Sequence, residues 1–219
     1  MDFSDIKFRS LTDQVYQYLS DLIIEGKIRP GERLVEKDLS QKFSVSRSPV
    51  RECFRILESE GLITINSRKG AHVRDFSRKD IEDVFLVRAT LEALAAKLAV
   101  QNISEKEIAT LNDLVTKMDE AITEKNEKSF YELNIFFHNL FIKASNNEIL
   151  EKTLKTLRKG IWLRITFLYF NSSSALIPSN IKHKEIVEAL VKKDPVSVAR
   201  LVEEHVEHTK DHVLSHLPV

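Results

Sequence analysis

The chain has 219 residues, and its 33 lysines and arginines balance its 33 aspartates and glutamates. A net charge of zero gives no sign of a nucleic-acid partner by itself, so charge has to be read locally. The single cysteine excludes an internal disulfide. The sequence has no apolar run long enough to span a bilayer and no signal-peptide pattern, which predicts a cytoplasmic protein with no membrane partner.

The first third of the chain begins with two predicted helices. From Leu11 to Ile24 the apolar residues recur at helical spacing, and Gly26 is expected to end this helix. A Pro-Gly turn follows. A short second helix is then predicted, with Val35, Leu39 and Phe43 on its apolar face.

A third helix is predicted to begin after Ser46, whose hydroxyl suits an N-cap because it can accept a hydrogen bond from a first-turn amide. An apolar stripe faces the core and consists of Val50, Phe54 and Leu57. Arg47, Arg51 and Arg55 lie four residues apart, so they share the outer face of this helix. Gly61 is expected to end it.

Two short strands, Leu62 to Ile65 and Ala71 to Arg74, are predicted on either side of a basic tip. Helix, helix, three-residue turn, helix and hairpin together predict a winged helix-turn-helix. A recognition helix places its first residues against base edges, and the arginine fork matches the two acceptors of guanine. We therefore predict base contacts from Arg47 and Arg51 and a phosphate contact from Arg55.

The three arginines also have an alternative interpretation. Charged residues at helical spacing are usually a solvated face, here with an ion pair from Glu58 to Arg51 or Arg55. The tight turn before the helix and the basic hairpin after it favour DNA binding.

Three stretches of this segment, Pro30 to Leu34, Ser46 to Glu52 and Glu60 to Leu62, resemble the DNA-binding domain of the GntR family of bacterial transcription regulators. The resemblance covers residues 8–76. It implies DNA contacts at Arg33, Lys37, Arg47, Ser48 and Arg51 and, on the wing, at Arg68 and Lys69. The sequence departs from the family at Ser44, because glycine is common at that position of the turn.

Residues 77–219 predict an all-α domain. Ser77 with Asp80, and Ser104 with Glu107, have the spacing of a capping box. The predicted helices are 80–101, 104–124, 127–145, 147–170, 179–193 and 195–216. The fold class is therefore mainly α, with an N-terminal winged helix-turn-helix and a C-terminal helical bundle.

Within this domain, the stretch from Ile161 to Phe170 is apolar almost all round. Such a helix is buried on most sides. It fits either the centre of the bundle or a dimer contact.

Polar residues interrupt the apolar faces of the predicted bundle. Arg88 and Glu92 lie four apart on one such face, and a buried charge needs a partner. They are either a structural ion pair, or Arg88 binds an anionic small molecule.

His138, His183 and His205 lie on the inward faces of three different predicted helices. A lone inward histidine is usually a hydrogen-bonded core residue, but three together favour a metal site. A competing set runs down the last helix and is expected to be mostly exposed: His208, His212 and His216.

Asn134 and His138, four apart on one helix, with one histidine on each of two later helices, resemble the ligand pattern of the FCD domain of FadR-like GntR regulators. The resemblance implies a divalent metal of the zinc, nickel or manganese class, held by Asn134, His138, His183 and His205. Aspartate is common where Asn134 stands, and an amide oxygen brings no charge. The resemblance also implies an organic or sugar acid as effector, with Arg88 and Arg164 as the predicted contacts.

The sequence therefore predicts a homodimeric transcription regulator, a repressor, whose winged domains bind a palindromic double-stranded DNA operator. Two alternatives remain. Three histidines around a metal with an open position also suit a metal-dependent hydrolase, although we find no glutamate placed as an obvious general base. The metal alone is a further candidate for the effector.

Overall fold

The computed structural model describes residues 10–66, 68–157 and 173–217. Contacts divide the chain into two compact units between Phe76 and Ser77. The first unit combines helices with a small sheet, and the described part of the second unit is helical.

The first unit has the element order of a winged helix-turn-helix, as predicted. Its elements are α1 (Leu11–Ile24), β1 (Arg33–Leu34), α2 (Glu36–Lys42), α3 (Arg47–Ser59), β2 (Ile63–Asn66) and β3 (Gly70–Val73). The sheet is antiparallel with the order β1-β3-β2. In its register Asn66 lies opposite Gly70, so β2 and β3 form the hairpin of the wing.

Strand β1 was not predicted from the sequence. It consists of only Arg33 and Leu34, which pair with His72 and Ala71 of β3. Two residues are too few to show the alternation by which a strand is recognised. The pairing across the intervening helices is what makes this segment a strand.

The core of the first unit is formed where α1 packs on α3 and α3 packs on the sheet. The buried residues at its centre include Leu19, Ile23, Val50, Leu57, Leu62 and Ile63. They come from both helices and from the wing, so burial of this one cluster holds the recognition helix against the hairpin.

The turn between α2 and α3 uses a strained residue. Ser44 has a φ of 54°, which is the left-handed region that favours glycine. Ser46 is the N-cap of α3 as predicted, but its side chain makes no capping hydrogen bond. The predicted bond was wrong. N-cap hydroxyls accept from the second or third helical residue, and the third is Pro49, which has no amide hydrogen, so only the amide of Ser48 is left as a donor.

The second unit contains six described helices. They are α4 (Arg78–Asn102), α5 (Glu105–Thr123), α6 (Glu127–Ala144), α7 (Glu148–Leu157), α8 (Ser173–Val191) and α9 (Pro195–Ser215). Helix α4 packs against α6, α7 and α9, α5 packs against α6 and α8, and α8 packs against α9. Both predicted capping boxes are present, at Ser77 with Asp80 and at Ser104 with Glu107.

One predicted helix boundary differs from the structure. Helix α8 begins at Ser173 rather than at residue 179, and Pro178 lies inside it. Proline usually ends a helix, but this helix continues through it. The predicted helix 147–170 is seen as α7 up to Leu157, and its remainder, with Ile161 to Phe170 and Arg164, lies outside the described residues.

Among the described residues, no helix is long and apolar enough to cross a membrane. The same residues contain no strand after Val73, in agreement with the sequence.

Cys53 offers a test of the packing of the first unit. Its side chain is 0% exposed, and burial, followed by the nearby charge of Glu60, raises the pKa of its thiol to about 12. The thiolate is the reactive form. We expect the folded protein to resist a disulfide reagent at pH 8 and to react stoichiometrically in denaturant. Rapid stoichiometric labelling without denaturant would contradict this packing.

Candidate functional site

The recognition helix α3 presents its arginines to solvent. Arg47 is its first residue, and Arg51 and Arg55 follow at one-turn intervals, all exposed. The predicted DNA-contacting residues are exposed throughout, namely Arg33, Lys37, Arg47, Ser48, Arg51, Arg68 and Lys69. Exposure leaves these side chains accessible to a DNA surface.

Strand β1 brings Arg33 to the wing. A methyl group added at Gly70 would lie 3.6 Å from Arg33 Nε, so the guanidinium lies beside the tip end of the hairpin. At the hairpin tip the backbone N–H of Arg68 donates to Asn66 Oδ1 at 2.9 Å. The wing therefore adds Arg33 to the basic residues Arg68 and Lys69.

A groove of about 460 Å³ separates α3 from β1 and the wing. Three arginines line it, Arg33, Arg51 and Arg55, together with Glu36 and Glu58. A groove lined by several guanidinium groups suits a phosphate backbone, to which arginine donates in a bidentate fashion.

Arg51 is held by a partner that the sequence did not indicate. Its Nε and NH2 atoms donate to the two carboxylate oxygens of Glu36 on α2, at 3.3 and 3.0 Å. Glu58, the predicted partner, instead accepts a hydrogen bond from the backbone N–H of Ile65 at 3.0 Å. The Arg51–Glu36 pair is exposed, and exposed pairs add little to stability, so DNA can displace it.

In the helical domain, Arg88, Glu92 and His138 form one buried chain of interactions. Arg88 Nε donates to Glu92 Oε1 at 2.7 Å, and His138 Nδ1 lies 2.7 Å from Glu92 Oε2. Each of the three side chains is 2% exposed or less. The structural ion pair between Arg88 and Glu92 is therefore present, and it extends to a histidine.

The three inward histidines meet at one point. One ring nitrogen from each of His138, His183 and His205 lies within 4.8 Å of the others. His138 Nε2 and His205 Nε2 are 3.2 Å apart. Two nitrogens that each lie about 2.1 Å from one metal, at roughly a right angle, are about 3.0 Å apart. The spacing of these two atoms fits a shared metal ion.

Hydrogen bonds on the far side of the rings fix how two histidines face this point. A carboxylate only accepts, so His138 carries a proton on Nδ1 toward Glu92 and turns Nε2 inward. Asn180 Nδ2 donates to the Val115 carbonyl at 3.0 Å and to Asp119 Oδ1 at 2.7 Å. Its Oδ1 is then left to accept from His183 Nδ1 at 3.3 Å, which leaves the lone pair of His183 on Nε2.

Burial keeps two of these rings in the neutral form that binds metals. The pKa of His183 is well below its usual range because the ring is buried, and the neighbouring His138 and Arg88 lower it further. The pKa of His205 is lowered by burial first and then by His183 and His138. Neutral imidazole is the metal-ligating state of histidine.

Several buried polar atoms of the helical domain have no hydrogen-bond partner among the described residues. They include Asn134 Oδ1, Ser179 Oγ, His183 Nε2 and His205 Nδ1. Each such atom costs about 1–3 kcal/mol if nothing satisfies it. Two of them belong to the histidine cluster, and Asn134 and Ser179 lie one helical turn before His138 and His183. Their concentration on α6, α8 and α9 indicates a site built for a ligand.

The competing histidines are arranged separately. His212 and His216 have ring centroids 4.2 Å apart, while His208 and His216 are exposed. None of the three belongs to the inward cluster.

Sequence reasoning missed three residues of this centre. Glu92 was considered only as the partner of Arg88, whereas Asn180 and Ser179 were not considered at all. Asn180 and Ser179 lie three and four residues before His183, a spacing that places them on its face of the helix. That spacing was the available signal.

A winged helix-turn-helix followed by a helical domain with a buried histidine centre defines a class of protein, the DNA-binding transcriptional regulators. The chain belongs to the GntR family of bacterial regulatory proteins. The family model of these regulators matches residues 11–73, and the model of the FCD domain matches residues 83–208.

Its relatives agree with this assignment. The chain is 30% identical to the HTH-type transcriptional regulator YdhC of Bacillus subtilis (strain 168), over 91% of this chain and 89% of that one. It is 29% identical to the HTH-type transcriptional repressor RspR of Escherichia coli (strain K12), over 93% and 89%. The solved structure of E. coli McbR/YncC has a TM-score of 0.77 at 23% identity, covering 94% of this chain and 98% of that one. This last similarity concerns the fold alone.

Replacing Arg47 by alanine tests the recognition helix. We expect a loss of about 1–3 kcal/mol per operator half-site and relaxed specificity there, because a bidentate contact to guanine is removed. Lys69→Ala serves as the comparison, since a lost phosphate contact weakens all sequences alike. Fluorescence anisotropy on operator and scrambled DNA measures both effects. Unchanged operator affinity of Arg47→Ala would refute the assignment.

Replacing Glu36 by glutamine tests the pair with Arg51. The carboxylate holds Arg51 and repels phosphates, so its loss is expected to strengthen binding to scrambled DNA more than to operator. The ratio of the two affinities should fall. Glu52→Gln is the matched control, because it removes the same charge from α3 at an exposed residue that bonds Thr12 instead. If both variants change the two DNA affinities equally, Glu36 acts only through the net charge of the domain and not through its pair with Arg51.

Proposed function

We propose that this regulator is a ligand-responsive repressor whose helical domain holds a divalent metal on Asn134, His138, His183 and His205. An organic or sugar acid would bind beside the metal and change the affinity of the winged domain for its operator. Such coupling requires that the acid bind the two states of the protein with different affinity.

The observation that carries the proposal is the set of ring nitrogens that face the centre of the histidine cluster. His138 Nε2 and His183 Nε2 are turned inward by hydrogen bonds on the opposite ring nitrogens. Among the described residues, no group bonds His183 Nε2 or the buried Asn134 Oδ1, which lies one turn before His138. A metal would use these lone pairs, and the outer partners Glu92 and Asn180 correspond to the groups that orient histidine ligands in metal sites. A bound metal would supply a Lewis-acid position for a carboxylate oxygen.

The acid is proposed because the centre also contains a buried guanidinium. Arg88 is 1% exposed and reaches the centre through Glu92. Four protein ligands leave about two positions on a metal of octahedral habit. A carboxylate could occupy them and direct its second polar group toward Arg88. Ser179 Oγ is buried and has no hydrogen-bond partner in the described part of the chain, so it is a further candidate contact. Arg164 remains a candidate from the sequence.

On the DNA side, we propose a homodimer on a palindromic operator. A two-fold symmetric protein matches a site with two inverted half-sites. The repressor name of RspR supports the sign of regulation. The cytoplasmic location remains a prediction.

Regulation by a bound ligand is preferred to hydrolysis for two reasons. The compared relatives carry the names of transcriptional regulators. The histidine cluster also contains no glutamate or aspartate among the described residues, and a metal-dependent hydrolase needs a general base near the metal.

Metal analysis of protein purified without a histidine tag tests the proposal. We expect the wild type to hold a stoichiometric divalent metal and His183→Ala to lose it, since one of the inward lone pairs is removed. His208→Ala is the matched control, because it deletes an exposed histidine of the same domain and should leave the metal in place.

The same samples test the acid. In a thermal-shift panel of organic and sugar acids, the effector should raise the melting temperature of metal-loaded wild type and act more weakly on His183→Ala. A wild type that holds no metal, and that binds an acid equally well after treatment with a chelator, would reject the metal and leave a metal-free pocket.

A further inference from the structure

The charges around the histidine centre do not balance those of a divalent metal. The cluster consists of His138, His183 and His205, with no carboxylate among the described residues. The fourth proposed ligand, Asn134, is an amide. The protein ligands therefore bring no negative charge to an ion that carries two positive ones.

The segment between α7 and α8 that lies outside the described ranges adds no carboxylate to this count. Residues 158–172 contain no aspartate and no glutamate. Whatever this segment contributes to the domain, it cannot bring a carboxylate to the metal.

Among the described residues, Glu92 is a carboxylate in direct contact with a proposed ligand, and its charge is already paired. One oxygen accepts from Arg88 and the other lies at hydrogen-bond distance from His138 Nδ1, both at 2.7 Å. Arg88 and Glu92 together carry no net charge. A metal at this centre would thus be a buried, uncompensated dication, and a buried charge is unfavourable unless it is paired.

We infer that Asn134 makes metal binding depend on an anion that completes the coordination, so that a metal and a carboxylate strengthen each other's binding at this centre. This inference rests on the proposed function and adds a rule for its regulation. An aspartate at position 134 would supply the missing charge from the protein. Asparagine leaves that charge to the ligand, which strengthens the mutual dependence of metal and acid.

Three neutral histidines can also hold zinc with water as a further ligand. The expected effect of the anion is therefore a change in metal affinity, and not the presence or absence of metal binding. We expect Asn134 to determine the factor by which the anion tightens metal binding. Couplings between two ligands on one protein are typically about 5- to 150-fold. We expect the coupling factor of the wild type to lie in this range and that of Asn134→Asp to fall toward unity.

The test measures Zn²⁺ affinity of the full chain by competition with a chromogenic chelator, with and without succinate. The free Zn²⁺ concentration is corrected for its binding to succinate. Methanesulfonate at the same ionic strength is the control anion, since it carries charge but is a poor metal ligand. In the wild type, succinate should tighten Zn²⁺ binding and methanesulfonate should not.

Two variants separate charge from ligation. Asn134→Asp should bind Zn²⁺ more tightly than the wild type in the absence of succinate and gain little when succinate is added. Asn134→Ala removes the oxygen without adding charge, so its Zn²⁺ affinity should fall while the gain from succinate persists. Circular dichroism of each variant confirms that the comparison is between folded proteins.

The outcomes distinguish the inference from the function on which it rests. Tight Zn²⁺ binding by the wild type that succinate does not change, and that His183→Ala abolishes, would overturn the inference and keep the metal site. Equal coupling in the wild type and Asn134→Asp would also overturn it. Absence of Zn²⁺ binding under all conditions would overturn the proposed function itself.

Discussion

The buried carboxylate of Glu92 is the interaction on which the centre of the helical domain depends. It neutralises Arg88 and orients His138, with 2.7 Å on each side. Without it, a guanidinium would be buried without its counter-charge, which is strongly unfavourable, and His138 would be free to present either ring nitrogen. Arg88 and Glu92 come from α4 and His138 from α6, so the same contact also joins two helices of the bundle.

The two domains place their polar groups in different surroundings. The winged domain leaves its cations in water, where they attract phosphates and cost little to expose. Acidic side chains lie among these cations, and Glu36 accepts a hydrogen bond from Arg51. The helical domain instead removes polar atoms from water, and some of them have no hydrogen-bond partner among the described residues. Such atoms cost stability unless another group satisfies them. Neutral histidines suit that environment because burial disfavours their charged form.

The sequence predicted much of this architecture, and its failures have physical causes. Helix α1 and both capping boxes follow from spacing and local hydrogen bonds, which are properties of short segments. Strand β1 and the contact between Arg51 and Glu36 depend on residues distant in the chain, so no local pattern reveals them. The inward faces of the three histidines were predictable from helical periodicity. The distances between their rings, and the hydrogen bond between His183 and Asn180, could not be predicted from the sequence. They depend on how the helices pack against one another.

The measurement that tests the central claim most directly is X-ray absorption at the metal edge of zinc-loaded protein. The account predicts a shell of nitrogen and oxygen at about 2.0–2.1 Å, with the outer scattering of three imidazole rings. In Asn134→Asp the imidazole count should be unchanged. A spectrum with fewer than three imidazoles would contradict a centre built on His138, His183 and His205.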